Sequence, residues 1–280
     1  MTADPASTNT SGWERRAVED TPDGTIEFSL TSWSRFFDFL EAEVFNPSVA
    51  SKHNYIWRGQ SNSEWSLSSS ADRLFQQLNL LTASQDALEE RLREHLKSFK
   101  RAARGRRGLN PAILSENDWW ALGQHFGLAT PLLDWTRSPF AAAYFAFEEV
   151  SSGTNKSRVV YGLDERAVEQ RSKELLGGLS YEQGRPLVIE FVDPMSDENQ
   201  RLVSQSGLFT RAPIGTPIEQ WVASAFEGSL AAVLLKIEIP DSDRVMCLRA
   251  LNRMNINHLS LFPDLGGASR STNLRLELDL

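Results

Sequence analysis

The chain has a single cysteine, Cys247, among 280 residues. That scarcity excludes a disulfide framework and a cysteine-built metal cluster, and it is consistent with a reducing compartment. The four histidines, His53, His95, His125 and His258, are scattered without metal-ligand spacing, so no metal site is expected. No apolar run approaches the roughly 20 residues of a membrane span. The N-terminus lacks the basic, then apolar, then small-residue progression of a secretory signal. Together these absences point to a cytoplasmic protein with no membrane partner. Positive charge is not in excess either: the formal net charge of −8 argues against bulk, sequence-independent binding to nucleic acid.

What is present is an aromatic-rich globular chain, 41% hydrophobic with eight tryptophans. Residues 1–25 are rich in Ser, Thr, Asp, Pro and Gly without apolar periodicity, and read as a disordered tail. Residues 26–280 contain no internal repeat and no low-complexity linker, which fits one domain near the upper size of a single core. One segment reverses the overall sign of charge: Lys97, Lys100, Arg101, Arg104, Arg106 and Arg107 have no acid among them. Cations at the end of a helix whose first half is acidic (Asp86, Glu89, Glu90) are the ordinary explanation. A contact of Lys97–Arg107 with a phosphate or nucleic acid is the functional alternative.

Local patterns place the elements. Ile26–Leu30 predicts a short edge strand, and Thr31 or Ser32 caps an amphipathic helix through Phe36, Phe39 and Val44. Tyr55-Ile56-Trp57 predicts a strand that stops at Arg58-Gly59, where glycine permits a change of direction. Leu88, Leu92, Leu96 and Phe99 recur at helical spacing, and Ser115 with Asp118 starts a further helix to His125. Arg158–Leu163, Pro186–Val192 and Ala231–Ile239 read as strands, and Asp241 or Ser242 caps a helix through Leu251. The resulting fold class is α+β: a helix-rich N-terminal half packed on a mixed or antiparallel sheet from the C-terminal half.

The segment from His125 to Ala146 concentrates polar groups at element ends. Ser138 before Pro139 is an N-cap with proline in the first helical turn. A helix start with unpaired N–H groups suits an anion such as phosphate. Arg58 offers a guanidinium fork for phosphate or carboxylate, with a structural ion pair to Asp134 as the alternative. Asp134 would orient Arg58 or His125, bind a ribose hydroxyl, or cap its own turn. His125 without a neighbouring Ser or Cys nucleophile motif does not make a hydrolase triad. Arg201 and Gln205 lie in a polar turn before Gly207, and Asp264 is the late acidic candidate. Cys247 sits in a helical apolar pattern and reads as a buried thiol. Trp57, Trp65, Trp119, Trp120 and Trp135 cluster around these segments and are expected mostly in the core.

Four blocks together resemble a known family. Tyr55-Ile56-Trp57-Arg58-Gly59-Gln60, with Glu64-Trp65-Ser66-Leu67 and Asp72-Arg73, is similar to the start of the FRG domain, named for its aromatic-Arg-Gly signature. The His125–Ala146, Arg201–Thr210 and Leu261–Gly267 segments resemble its later blocks in the same order. A second resemblance is to ADP-ribosyltransferases of the Arg-Ser-Glu type, in which an early strand ends in Arg and a Ser/Thr turn precedes a helix. Arg58, Thr136 and Ser138 match those parts. The Gln/Glu-x-Glu run before a late strand is absent, so Asp264, or Glu190 or Glu238, would stand in for it.

The resemblance implies an ADP-ribosyltransferase-like fold in residues 26–280 and NAD as substrate, with no metal. Arg58, Gly59, Gln60, Thr136, Ser138, Arg201 and Gln205 would then bind the dinucleotide. Arg58, His125, Asp134 and Asp264 would serve catalysis, Asp264 by stabilising the cationic ribose. It also implies a bacterial toxin or phage-defence setting, with transfer to a protein, a nucleic acid or water. A non-catalytic nucleotide- or nucleic-acid-binding regulatory module is the competing class.

Overall fold

A computed structural model of the chain describes residues 12–16, 22–108, 111–150, 156–177, 187–194 and 205–279. Its centre is an eight-stranded mixed sheet. The strands are β1 (Trp13–Arg15), β2 (Thr25–Leu30), β3 (Tyr55–Gln60), β4 (Leu132–Thr136), β5 (Ser157–Asp164), β6 (Glu190–Val192), β7 (Gly207–Arg211) and β8 (Leu234–Pro240). Their spatial order is β1-β2-β8-β5-β3-β4-β7-β6, and every neighbouring pair is antiparallel except the parallel pair β2 and β8. The helices are α1 (Phe36–Phe39), α2 (Pro47–Ala50), α3 (Ser70–Gln77), α4 (Gln85–Ala102), α5 (Glu116–His125), α6 (Pro139–Phe147), α7 (Glu165–Leu176), α8 (Ile218–Ala225), α9 (Arg244–Arg253), α10 (His258–Leu261) and α11 (Leu265–Leu278). The α+β class holds.

Local chemistry sets the helix starts. Ser69 with Asp72 and Ser115 with Asp118 form reciprocal capping boxes at α3 and α5, each satisfying N–H groups that the first turn leaves open. Ser138 caps α6 by accepting from the Ala141 N–H, with Pro139 in the first turn as expected. Behind it Ala142, Ala143 and Ala146 are fully buried, so α6 lies unusually close to the sheet.

The core has three parts. Phe28, Phe36, Phe39 and Trp57 pack with α6 on one face of the sheet. Ile56, Leu133, Trp135, Tyr161 and Leu163 pack with α8 on the other. Leu132 and Phe209 meet α3, α4 and α5 in the third. Cys247 is buried, and burial holds its thiol well above the usual value. Trp57, Trp120 and Trp135 are core residues, whereas Trp119 is half-buried and Trp65 is exposed.

Several expectations are corrected. Trp13–Arg15 lies within the stretch expected to be disordered, yet it pairs with β2. Its anchor is the Trp13 ring, edge-on to Phe39 at 5.7 Å, with the indole N–H donating to Glu43. The sheet does not come from the C-terminal half alone, because β1 to β4 precede residue 140. β4 itself is unexpected, since its polar Asp134 and Thr136 mask a strand held by β7 along its whole length. β3 runs through Gly59 to Gln60 instead of stopping, because β5 pairs with it to the end. The run expected at Pro186–Val192 is a strand only over Glu190–Val192, with Pro186 outside the described residues. Helix α9 starts after a short turn at Asp241–Asp243 with no side-chain cap. The Asp243 carboxylate instead accepts from Ser32 and the Trp33 N–H.

Candidate functional site

β3 and β4 are neighbours at the middle of the sheet but pair at one register position, Trp57↔Thr136. β3 keeps its ladder with β5 as far as Gln60↔Val159, and β4 keeps its own with β7 back to Leu132↔Arg211. Beyond the shared pair the two strands diverge, and a cleft of about 910 Å³ opens between them. Strand alternation sends Arg58, Gln60 and Trp135 to one face and Trp57, Gly59, Asp134 and Thr136 to the other. All of these line the cleft, so its walls draw on both faces of the sheet.

Arg58 spans the divergence. Its Nη1 donates to the Asp134 carbonyl oxygen at 2.8 Å and stands 3.7 Å from the Asp134 carboxylate. That carboxylate is 63% exposed, so the ion pair is largely screened by solvent. The Arg58 side chain is only 19% exposed, and its Nε is buried with no partner. Burial lowers the Arg58 pKa; Asp134 opposes that shift and Arg73 adds to it. Such a group is a buried cation whose charge is incompletely matched.

Gln60, two residues on, is 7% exposed. Its Nε2 donates to the Ser66 carbonyl at 3.3 Å, which leaves Oε1 buried and without a partner. An unmet buried acceptor costs about 1–3 kcal/mol, a penalty that a ligand N–H or O–H would relieve.

Gly59 is there for packing. A Cβ on it would stand 1.8 Å from the Ala142 carbonyl oxygen and 2.6 Å from the Ala146 nitrogen, so its role is to admit α6. Ligand approach and a change of direction, the roles expected for it, are not what the fold requires.

His125, the last residue of α5, lines the cleft edge-on to Phe126 at 4.8 Å. Thr136 and Gln205 also line it while holding the local turn. The Thr136 hydroxyl donates to the Gln205 carbonyl at 2.7 Å and accepts from the Ser138 N–H at 3.1 Å, and Gln205 Nε2 donates to the Leu261 carbonyl at 3.2 Å.

Other expected site residues lie elsewhere. Ser138 does not line the cleft. The opposite end of α6 does, through Phe145, Glu148 and Glu149, so the helix presents its partially negative terminus. Arg244 donates to the Glu148 and Glu149 carbonyls at 2.8 and 3.1 Å and offsets part of that charge. Asp264 is not a lining residue; its carboxylate caps α11 by accepting from the Gly267 N–H at 2.7 Å. Glu190 is outside the cleft as well, and so is Glu238, which pairs with Arg16 at 2.8 Å. Arg201 falls outside the described residues. The Lys97–Arg107 segment is not part of the cleft wall, and Arg107 and Lys100 lie over the Trp119 ring.

Reading the sequence alone did not pick out Glu148, Phe145 or Phe262 as lining residues. Arg73 entered only as part of the block beside Arg58, and Trp65, expected with the other tryptophans mostly in the core, is exposed in the cleft wall.

Residues 53–155 match the family model of the FRG domain. The chain carries an FRG domain. The matched span contains every lining residue of the cleft except Gln205, Phe209 and Phe262. No curated protein and no solved structure matches the chain. Within this FRG domain each letter of the Trp57-Arg58-Gly59 signature has a separate task. Trp57 fills the core, Arg58 bridges the diverging strands, and Gly59 admits α6. Among the described residues no helix is long and apolar enough to cross a membrane, and no group of three or more His, Cys, Asp or Glu residues is placed to hold a metal ion.

Proposed function

We propose that the cleft of the FRG domain binds NAD and that the domain cleaves it, as an ADP-ribosyltransferase or NAD glycohydrolase. The observation that carries this reading is the unmatched pair on β3: the Arg58 Nε donor and the Gln60 Oε1 acceptor, both buried and both in the cleft wall. Residues two apart on a strand are separated by roughly 7 Å along it, enough to engage separate groups of one ligand. Arg58 suits a pyrophosphate oxygen, and Gln60 suits a ribose hydroxyl or an amide N–H.

Charge supports a ligand of both signs. Glu64, Asp134, Glu148 and Glu149 line the cleft against Arg58 and Arg73. A ligand that is only anionic would meet excess negative charge. NAD combines a pyrophosphate with a cationic nicotinamide ring, and the departure of that ring leaves a cationic ribose. Carboxylates around the sugar lower the energy of that transition state. With Asp264 capping α11, the carboxylate of this reading is drawn from the cleft wall. Transfer to a protein, a nucleic acid or water, and a toxin or phage-defence role, belong to this proposal.

The test is to incubate the purified chain with NAD and follow nicotinamide release. Release that depends on Arg58 supports the reading. A chain that binds NAD without consuming it is a regulatory nucleotide-binding module instead. A chain that neither binds nor consumes NAD, with protein and nucleic-acid acceptors present, overturns both.

A further inference from the structure

We infer that Glu148 is the catalytic carboxylate of the cleft and that His258 positions it; this rests on the cleft's taking a dinucleotide. Of the four carboxylates in the wall, Glu64, Asp134 and Glu149 are exposed, while the Glu148 side chain is only 20% exposed. A half-buried carboxylate acts on a developing positive charge more strongly than one fully in solvent.

The surroundings of Glu148 hold it in place without neutralising it fully. Its Oε2 stands 3.3 Å from His258 Nδ1, and the Tyr144 hydroxyl is 3.1 Å from that same nitrogen. Tyr144 and Glu148 thus converge on one imidazole nitrogen. The His258 ring is fixed twice over. It stacks on Phe262 at 4.1 Å, and it opens α10, whose start is set by the reciprocal Asn257–Ser260 cap. Phe262 in turn lines the cleft and meets Phe145 edge-on at 6.1 Å. Burial and the nearby Glu148 both raise the pKa of Tyr144, so its hydroxyl keeps its proton. Among the described residues no Arg or Lys forms an ion pair with Glu148, and the neighbouring Arg244 guanidinium is taken up by the Glu148 and Glu149 carbonyls and Glu277.

The chemistry balances as follows. The bond between the ribose C1′ and the nicotinamide nitrogen breaks, and its electron pair leaves with the nitrogen, giving neutral nicotinamide. The ribosyl cation formed at C1′ faces the Glu148 carboxylate. An oxygen of water or of an acceptor hydroxyl gives C1′ an electron pair, and its proton passes to Glu148 and then to solvent. Glu148 is thus asked for two things: charge in the transition state and proton acceptance from the nucleophile.

Three variants and two probes test this. Glu148→Gln is expected to slow nicotinamide release by roughly 100-fold or more while KM for NAD changes little. Glu148→Asp keeps the charge and should recover part of the rate. The binding probes are ADP-ribose and an ADP-ribose analogue whose ribose is replaced by a protonated iminosugar. The parent should prefer the cationic analogue, and Glu148→Gln should lose that preference while binding ADP-ribose as before. His258→Asn should weaken the cationic analogue selectively, which a purely structural role would not do. If the parent releases nicotinamide and Glu148→Gln does so equally fast, the inference fails and the NAD reading stands. If the parent binds neither probe and releases nothing, both fall. Equal loss of affinity for both probes in Glu148→Gln overturns the catalytic role and leaves Glu148 a binding residue.

Discussion

Arg58 and Asp134 are 76 residues apart in sequence, and the hydrogen bond from Arg58 Nη1 to the Asp134 carbonyl crosses the gap where β3 and β4 part. Main-chain ladder bonds would otherwise occupy that gap. A side chain has replaced them, and the space released is the cleft. Arg58 therefore bridges the strands through Nη1 while its Nε stays buried and unmatched.

Arg58→Lys separates those roles. Lysine keeps a donor for the Asp134 carbonyl but lacks the planar fork. We expect NAD affinity to fall by about tenfold or more, roughly 1.4 kcal/mol, with the melting temperature nearly unchanged. Calorimetric titration against thermal denaturation checks this, and unaltered affinity would count against Arg58 as the pyrophosphate anchor.

Gly59→Ala should destabilise the fold. The added methyl would lie 1.8 Å from the Ala142 carbonyl oxygen, and the backbone of α6 has no flexible end that can give way. A loss on the order of 3 kcal/mol is expected from overpacking of this kind, measured by denaturant unfolding. A variant of unchanged stability would show that α6 can shift away from β3.

Two tryptophans from different sequence blocks should behave oppositely. Trp135 is 3% exposed and its indole N–H donates to Thr210 at 2.8 Å, so Trp135→Ala should cost about 3–5 kcal/mol of stability. Trp65 is 55% exposed and lines the cleft, so Trp65→Ala should leave stability within about 0.5 kcal/mol and reduce ligand affinity. Unfolding curves and titrations on the two variants decide. A strongly destabilised Trp65→Ala would contradict its assignment to the binding surface.

Glu219 gives a pH signature. Burial raises its pKa above the usual carboxylate value, even though its carboxylate accepts from the Leu67 N–H at 3.1 Å. A raised folded value means that the folded state holds the proton more tightly than the unfolded chain does. The stability it contributes is complete below the ordinary carboxylate range and is lost as pH rises through the raised value. Glu219→Gln, which still accepts from Leu67, should flatten that decline when denaturation midpoints are compared from about pH 4 to 7. An unchanged slope in the variant would assign the decline to other groups.

The sequence by itself determined the parts that short-range chemistry controls. Ser115 with Asp118 and Ser138 with Pro139 mark helix starts because the capping bonds join residues only three apart. The helical spacing of Leu88, Leu92 and Leu96 fixed the buried face of α4, and the apolar run around Val159 and Val160 fixed a central strand. The aromatic-Arg-Gly signature was also legible there, and with it the FRG domain.

Tertiary structure alone decided what those parts enclose. β4 owes its existence to pairing with β7, more than seventy residues away, and its polar positions hide it from any local reading. The cleft exists because two register choices, β3 on β5 and β4 on β7, are each satisfied at the expense of β3 on β4. In the same fold the C-terminal end of α6 faces the cleft, with Glu148 in its wall, while Asp264 is a helix cap. Hydrogen bonds between near neighbours are written in the local sequence; which side chains face a shared cavity depends on how distant strands divide their ladders, and only the folded chain resolves that.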